Sequence, residues 1–161
     1  MDFIDGLLNS NGKTTIFVVV DRLSKVAHFI PISHPYTTIL VAQIFLTHVF
    51  KLYGMPKSIL CDRDSVFTSG NTFNYSSAYH PQIVDQTEVV NRTIEMYLRC
   101  FSSDRLKEWA RWIAWVEYCY NTSLHTPTKK TPYEVVYGCV SPTLLSYIPG
   151  TTLMESVDRE L

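Results

Sequence analysis

Apolar residues near the N-terminus predict two neighbouring strands. Residues 13–20 (KTTIFVVV) form a β-branched, nearly continuous apolar run, which is typical of a strand buried on both faces. A second run, residues 26–32 (VAHFIPI), follows after a short and mainly polar segment, so the two runs predict a hairpin. Pro31 places the second strand at a sheet edge, because proline has no amide hydrogen to donate to a neighbour.

Apolar residues at helical spacing predict three helices farther along the chain. The first follows Thr37, which suits an N-cap, and ends at Gly54 and Pro56. The second begins at Asp85, and the third spans residues 106–121. Their apolar positions are Ile39, Ala42, Leu46, Val49, Phe50 and Tyr53 in the first, Val90, Ile94, Tyr97, Leu98 and Phe101 in the second, and Trp112, Trp115 or Val116, and Cys119 in the third.

The segment between the first two helices predicts one more strand. Residues 57–61 (KSILC) have the length and apolar character of a short buried strand, and residues 68–74 predict a polar loop. The order of strands and helices favours an α/β fold in which helices pack on a mixed sheet. After Gly138 the chain is rich in proline, serine and threonine, which predicts an extended tail.

Composition allows one domain and excludes several classes of protein. The 161 residues are 46% hydrophobic and 13% aromatic, enough for one core. A net charge of −1 argues against a globally basic nucleic-acid binder, so DNA binding would need a local patch. The longest apolar run is too short to span a membrane and there is no signal-peptide pattern, so we expect an intracellular protein.

Acidic residues beside the predicted strands are the first candidates for chemistry, because ligands of open α/β sheets bind beyond the carboxyl ends of strands. Asp62 directly follows residues 57–61, Asp2 lies in a short apolar context, and Glu88 lies off the apolar face of the second helix. Three such carboxylates would bind a hard cation such as Mg²⁺ or Mn²⁺ and support two-ion phosphodiester chemistry. Acidic side chains usually lie in solvent, and the pattern leaves other candidates open: Asp5, Asp21, Asp64 and Asp85.

Sequence blocks spread over nearly the whole chain resemble the catalytic core of Ty3/gypsy retrotransposon integrases. The blocks are residues 1–4 (MDFI) with Gly6-Leu7, 18–25 (VVVDRLSK), 27–31 (AHFIP), 53–56 (YGMP), 62–64 (DRD) with Phe67, 77–82 (SAYHPQ) leading into 86–92 (QTEVVNR), Trp115 with 120–125 (YNTSLH), and 131–134 (TPYE) with Tyr137-Gly138. The block from residue 77 to residue 92 is the strongest.

The resemblance implies an RNase H-like fold and the DDE triad of polynucleotidyl transferases. By position, Asp2 and Asp62 match the two aspartates and Glu88 matches the glutamate. In the family these residues hold two divalent ions, Mg²⁺ or Mn²⁺, which activate water to nick the element's DNA ends. The new 3′ hydroxyl is then activated to attack target DNA. The resemblance also implies DNA as partner, a homo-oligomer and a nuclear location, without a membrane or a small-molecule substrate.

The resemblance further assigns nucleic-acid contacts to five residues: Asn91, Arg92, Tyr79, His80 and Gln82. The first two match positions that face the DNA end, and the other three lie on a loop before the helix, near the active site. A solvated charge or an ion pair with Glu95 is the alternative for Arg92, and aromatic packing is the alternative for Tyr79.

Three departures from the family pattern predict impaired chemistry. Only 25 residues separate Asp62 from Glu88, fewer than in the family, and the shortfall falls near residues 69–74, where relatives carry a short helix. Asp85 stands where relatives have glycine, which removes easy access to positive φ and is expected to misplace Glu88. The chain also begins inside the first, central strand, which is expected to leave Asp2 on a frayed end.

We therefore predict an integrase catalytic core over residues 1–138, with a truncated first strand and an internal deletion near 69–74. Residues 139–161 are predicted to be an extended tail toward a missing C-terminal module, and the preceding zinc-binding domain is expected to be absent. The predicted function is DNA integration by metal-dependent polynucleotidyl transfer, comprising 3′-end processing and strand transfer, in an impaired copy. The alternative is a catalytically silent retrotransposon remnant that acts at most as a nucleic-acid-binding or self-associating module.

Overall fold

Three strands form an antiparallel meander in the computed structural model, which describes residues 1–59, 61, 81–102, 106–125 and 128–142. The strands are β1 (Asp2–Ile4), β2 (Thr15–Val20) and β3 (Ala27–Ile32), in the spatial order β1-β2-β3. Asp2 lies opposite Val18, and Val20 lies opposite Ala27. The predicted hairpin of β2 and β3 is confirmed, with Pro31 in a strand at the edge of this sheet.

Helices make up most of the remaining described chain. They are α1 (Thr38–Phe45), which continues through a π-helical turn (Leu46–Phe50) into α2 (Lys51–Tyr53), α3 (Pro81–Ser102), a 3₁₀ turn (Leu106–Glu108) that leads into α4 (Trp109–Thr122), and α5 (Pro132–Tyr137). Within α3 the described side chains are those of residues 89–101. Of the helices in these ranges, none combines the length and apolar character needed to cross a lipid bilayer.

Each face of the sheet carries its own hydrophobic cluster, because successive side chains along a strand point to opposite sides. The α3/α4 cluster consists of Ile16, Val18, Ala27, Phe29, Val90, Ile94, Leu98, Trp109, Ile113, Val116 and Tyr120. The α1 cluster consists of Phe17, Val19, Ile30, Ile32, Tyr36 and Val41. Helices therefore cover both faces of the sheet, which confirms the predicted α/β layer architecture and is compatible with an RNase H-like fold.

The first helix begins where the sequence predicted but buries a different face. The Oγ1 atom of Thr37 accepts a hydrogen bond from the Leu40 amide at 3.3 Å, which confirms the N-cap. Val41 is the buried residue of α1, whereas Ile39 is 72% exposed. The sequence of α1, TILVAQIF, is apolar on nearly every side, so its periodicity could not select the face that packs on the sheet.

Helices α3 and α4 differ in how well the sequence predicted them. The apolar face of α3 is confirmed, with Val90, Ile94 and Leu98 buried, although the helix begins at Pro81 instead of Asp85. In α4 the predicted buried set was largely wrong, since the helix buries Trp109, Ile113, Val116 and Tyr120. Trp112 and Cys119 are half-buried and Trp115 is exposed. The aromatic residues of α4 are spread over several of its faces. Its hydrophobic pattern therefore fits more than one buried face.

The prediction of a strand in the KSILC segment is wrong for residues 57–59, which the structure describes. Residues 57–59 form no strand, and Lys57 and Ser58 are exposed. Cys61 nevertheless packs against the α1 cluster. Residue 60 and the predicted loop and deletion near residues 68–74 lie outside the described residues. The described strands pair only antiparallel, so the mixed character of the sheet and the division at residue 138 stay predictions.

Side chains of α4 complete the outer edge of β3. The Asn121 amide donates to the Ala27 carbonyl at 2.8 Å and accepts from the Ala27 amide at 2.9 Å. The Oε2 atom of Glu117 accepts from the Phe29 amide at 2.8 Å. Pro31, the next outward-facing position, has no amide hydrogen to satisfy. From Ala27 to Pro31, the outward-facing amides of this edge are therefore satisfied without another strand.

Helix α5 was not among the predicted helices, although its start carries a local signal. Thr131 Oγ1 accepts from the Glu134 amide at 3.0 Å, and Glu134 Oε2 accepts from the Thr131 amide at 2.8 Å. This is a capping box, followed by Pro132 at the first helical position. Gly138 ends the helix with φ of 71°, a left-handed conformation that glycine adopts without strain.

Candidate functional site

Asp2 is held in place by strand pairing and by two hydrogen bonds. It shares the face of β1 with Ile4, which packs against the α3/α4 cluster. Its Oδ1 atom accepts from the Phe3 amide at 2.9 Å, and its Oδ2 atom accepts from Asn91 Nδ2 at 2.7 Å. The expectation that Asp2 lies on a frayed end is therefore wrong, since β2 pairs with its backbone and α3 anchors its side chain.

Asn91 brings α3 to the carboxylate of Asp2. The side chain is half-buried, and its neighbours Val90 and Ile94 are buried in the α3/α4 cluster, which fixes the helix against the sheet. Its Oδ1 atom is buried and accepts no hydrogen bond from the part of the chain that the structure describes. Leaving a buried acceptor unsatisfied costs about 1–3 kcal/mol. This amide oxygen is therefore suited to a donor or a cation beside Asp2.

Glu88 belongs to the same helix, one turn before Asn91. Residues three apart in a helix lie on neighbouring parts of one face, with Cβ atoms about 5–6 Å apart. The backbone of α3 thus places position 88 close to the Asp2–Asn91 pair. The side chain of Glu88 lies outside the described residues, as does Asp62, so the meeting of the three carboxylates stays a prediction.

Three residues were predicted to lie on a loop before this helix, and the structure describes the backbone of one of them. Gln82 lies in the first turn of α3, so its assignment to a loop is wrong, and its side chain is not among those described. Tyr79 and His80 lie outside the described residues. Asp85 also lies within α3, where the backbone is right-handed, so no positive φ is needed there. The expected displacement of the helix by Asp85 therefore loses its physical reason, because proline at the first helical position starts the helix earlier.

Arg92 is exposed on α3, directly after Asn91. A helix turns by about 100° per residue, so the two neighbouring side chains point in different directions. Asn91 reaches the sheet, while the guanidinium of Arg92 is accessible from solvent. The predicted contact of Arg92 with a phosphate stays a prediction.

Two of the other candidate metal ligands, Asp5 and Asp21, accept hydrogen bonds within the fold. Asp5 accepts a hydrogen bond from Thr15 Oγ1 at 2.7 Å and another from the Tyr36 hydroxyl at 3.2 Å. Asp21 accepts from the amide and the hydroxyl of Ser24, at 2.8 and 2.6 Å, in the turn between β2 and β3. Burial opposes ionisation of Asp21, but these hydrogen bonds outweigh it and lower its pKa. The fold therefore gives both carboxylates local structural roles.

The described residues contribute oxygen donors but no complete metal site. Among them, no group of three histidine, cysteine, aspartate or glutamate side chains is placed to hold an ion. The side chains of Asp62 and Glu88 are not among these residues. The Asp2 carboxylate and the unsatisfied oxygen of Asn91 are hard ligands, which fit Mg²⁺ or Mn²⁺ or the water molecules that such an ion carries.

A second polar cluster links β3, α2 and α4, and sequence reasoning missed it. His28 contacts Glu117 through Nδ1 and the Tyr53 hydroxyl through Nε2, both at 3.1 Å. Burial, together with the neighbouring Tyr137 and Glu117, raises the pKa of Tyr53 to about 12. A signal was present, since Glu117 and Asn121 stand four residues apart on a helix that is mainly apolar. The cluster joins helices to the sheet edge and supplies no hard-cation triad.

The fold and the site define an α/β protein in which a carboxylate on the sheet accepts a hydrogen bond from the side-chain amide of an asparagine on a helix. The chain is similar to one region of Transposon Tf2-3 polyprotein and of Transposon Tf2-4 polyprotein from Schizosaccharomyces pombe. Each alignment is 38% identical over 147 residues and covers 85% of this chain and 11% of the polyprotein. The chain therefore spans about a tenth of the length of these relatives. No protein-family model matches the chain.

Proposed function

We propose that this chain is the catalytic core of a retrotransposon integrase, which cuts and joins DNA with divalent cations. The observation that carries the proposal is the 2.7 Å hydrogen bond between Asp2 and Asn91. It joins the strand that bears the first acid of the triad to the helix that bears Glu88. The similarity to transposon polyproteins supports a role in transposition.

The proposal requires Asp62 to lie on the same side of the sheet as Asp2. Cys61, the residue before it, packs against the α1 cluster on the opposite side. Consecutive side chains of an extended chain point to opposite faces. If the chain were extended from Cys61 to Asp62, this alternation would direct Asp62 to the side of Asp2, as the proposal requires.

In this proposal Asp2, Asp62 and Glu88 hold Mg²⁺ or Mn²⁺ through their carboxylate oxygens. When bound, two such ions lower the pKa of an attacking hydroxyl and stabilise the leaving oxygen of a phosphodiester. Asp2 contributes a carboxylate whose orientation is already fixed by its two donors. The exposed guanidinium of Arg92 binds a phosphate of the DNA end, which aligns the scissile bond with the acids.

The partners in this proposal are the element's DNA ends, target DNA and further copies of the chain, with the nucleus as the place of action. Tyr79, His80 and Gln82 are proposed to contact DNA near the reacting ends. The chain has a net charge of −1. Attraction to DNA must therefore come from local groups such as Arg92 and from the bound cations, which offset the charge of the triad.

The test is cleavage of a DNA duplex with the element's terminal sequence in the presence of Mn²⁺ or Mg²⁺. Wild type is expected to nick the 3′ ends and join them to target DNA, and Glu88→Gln is expected to lose at least about a hundredfold in rate, because removing one charged ligand disrupts the site. Glu95→Gln is the matched control, since it neutralises an exposed acid on the same helix.

Equal rates for Glu88→Gln and wild type would reject the triad. A wild-type chain that binds the duplex but cleaves it with neither cation would favour the alternative, a catalytically silent remnant that binds nucleic acid. Association without DNA binding or cleavage, measured by sedimentation, would favour the self-associating form of that alternative.

A further inference from the structure

We infer that Asn91 is a positioning residue, which orients the Asp2 carboxylate for a divalent cation and does not contact DNA. The inference rests on the proposed function and assigns Asn91 a different role from the nucleic-acid contact that the family resemblance implied. Its basis is the set of hydrogen bonds around Asp2 and the burial of the Asn91 amide oxygen.

The two donors on Asp2 fix its carboxylate without neutralising it. One oxygen accepts from the Phe3 amide at 2.9 Å and the other accepts from the Asn91 amide at 2.7 Å. An ionised carboxylate offers about four acceptor sites, so each oxygen keeps capacity for a cation. Both donors are uncharged, whereas an arginine or lysine at position 91 would compensate the negative charge that attracts the metal. The arrangement thus orients the ligand and preserves its charge.

The orientation of the Asn91 amide follows from the chemistry of its partner. An ionised carboxylate only accepts hydrogen bonds, so Nδ2 of Asn91 must face Asp2 and Oδ1 must point elsewhere. That oxygen is buried and takes no donor from the described residues. A water molecule held by a cation at Asp2 would be a suitable donor for this oxygen. In that case the same side chain would orient one metal ligand and accept from the hydration shell of the ion.

Asn91 and Arg92 also differ in solvent exposure. Asn91 is half-buried and its side-chain amide donates to Asp2, while Arg92 is exposed. A phosphate contact needs N–H donors at the surface, and the guanidinium of an exposed arginine carries five. The geometry assigns metal positioning to Asn91 and leaves the DNA contact to Arg92.

The experiment measures Mn²⁺ binding by calorimetry for the full chain and for four variants. Asn91→Leu keeps the size of the side chain and removes its polar atoms, and Asn91→Ala repeats the test with a smaller, helix-favouring residue. Both are expected to weaken Mn²⁺ binding about 10- to 100-fold. Val89→Ala, an exposed position of the same helix, is the control and is expected to stay within twofold of wild type. Asp2→Asn is expected to bind at least as weakly as the Asn91 variants.

A second readout separates positioning from DNA contact. If Asn91 positions the metal ligand, Asn91→Leu raises the Mn²⁺ concentration needed for half-maximal strand transfer and leaves the dissociation constant for metal-free DNA unchanged. Circular dichroism confirms that the variant is folded before either measurement. Unchanged Mn²⁺ affinity in both Asn91 variants, or weaker DNA binding with normal Mn²⁺ affinity, would overturn the inference alone. A wild-type chain without Asp2-dependent Mn²⁺ binding would overturn the proposed function, and the inference with it.

Discussion

Two asparagine side chains fix helices against the sheet of this molecule. Asn121 bonds both the amide and the carbonyl of Ala27, which is fully buried, and so replaces a neighbouring strand. Asn91 uses only its amide nitrogen, which donates to the Asp2 carboxylate. In both cases a helix is fixed against the sheet by a side chain with a donor and an acceptor a short distance apart.

Replacing Asn121 tests the first of these contacts. Asn121→Ala leaves the buried amide and carbonyl of Ala27 without their partner, which is expected to lower the free energy of unfolding by about 2–3 kcal/mol. Asn121→Asp keeps the acceptor but sets a carboxylate oxygen against the Ala27 carbonyl, so its loss is expected to be at least as large. Urea denaturation followed by circular dichroism measures both. A loss below about 0.5 kcal/mol for Asn121→Ala would show that water satisfies this edge equally well.

Tyr120 predicts how the stability of the fold depends on alkaline pH. Burial raises the pKa of its hydroxyl from 10.0 to about 12 in the folded chain. The unfolded chain therefore loses this proton first, so the stabilisation is complete below pH 10 and is lost as the pH rises toward 12. The size of the effect is about 3 kcal/mol.

Denaturant unfolding at a series of pH values measures this loss. Tyr120→Phe keeps the ring, whose centroid lies 5.5 Å from that of Phe29, and removes the ionisable group. The decline in stability above pH 10 is expected to become shallower in the variant. The same slope in both proteins would assign the alkaline loss to other groups, such as Tyr53.

For single residues, the sequence predicted Asp2 as a candidate metal ligand but did not predict the groups that hold its carboxylate in place. Sequence pattern selects residue types and positions along the chain, whereas the partner of Asp2 lies 89 residues away. The family resemblance had placed Asn91 near the site as a DNA contact. The hydrogen bond to Asp2 arises from the docking of α3 on the sheet, and periodicity within α3 alone does not contain that information.

Among the elements, α5 shows how a short helix depends on its ends. It has six residues, too few to be stable from propensity alone, and its capping box satisfies amides at its first turn. Pro132 at its first position is fully buried, which anchors the start of the helix.

Removing the cap is expected to destabilise the protein measurably. Thr131→Ala is expected to cost about 1 kcal/mol, because the Glu134 amide loses its acceptor. Thr47→Ala is the matched control, since the exposed Thr47 hydroxyl only bonds the Gln43 carbonyl within the same helical segment; its expected change is within about 0.5 kcal/mol. Chemical denaturation of both variants gives the comparison, and equal effects would deny the capping box a special role.

The elements also show where the hydrophobic pattern predicts structure and where it does not. Strand β2 was predictable because it is a continuous, largely β-branched apolar run, and the buried face of α3 because its apolar residues recur at helical spacing. Helices α1 and α4 carry apolar residues on several sides, so the pattern predicted the helix but not its buried face. The segment at residues 57–59 had strand-like composition without forming one, since a strand needs a partner as well as propensity.

For the molecule as a whole, the α3/α4 cluster joins the sheet to the helix of the candidate site. Ile94 is fully buried at its centre, whereas Met96, two residues later on the same helix, is 55% exposed. Ile94→Ala is expected to lower the free energy of unfolding by about 2–5 kcal/mol, because it leaves a cavity between sheet and helix. Met96→Ala is expected to change it by less than about 0.5 kcal/mol.

A urea titration measures the difference between these two variants. Because the cluster also fixes Asn91 against Asp2, the cavity variant is further expected to bind Mn²⁺ more weakly under conditions where it is still folded. Equal stability of the two variants would mean that α3 does not pack on the sheet as described.

The outer edge of β3, which side chains of α4 cover, determines on which side the sheet can grow. Asn121 and Glu117 occupy the outward amides of Ala27 and Phe29, and Pro31 has none, so this edge offers no free amide hydrogen between Ala27 and Pro31. An additional strand, from this chain or from a companion molecule, is therefore expected beside β1. Its arrival would bring new side chains next to Asp2, so growth of the sheet and assembly of a carboxylate centre would be one and the same event.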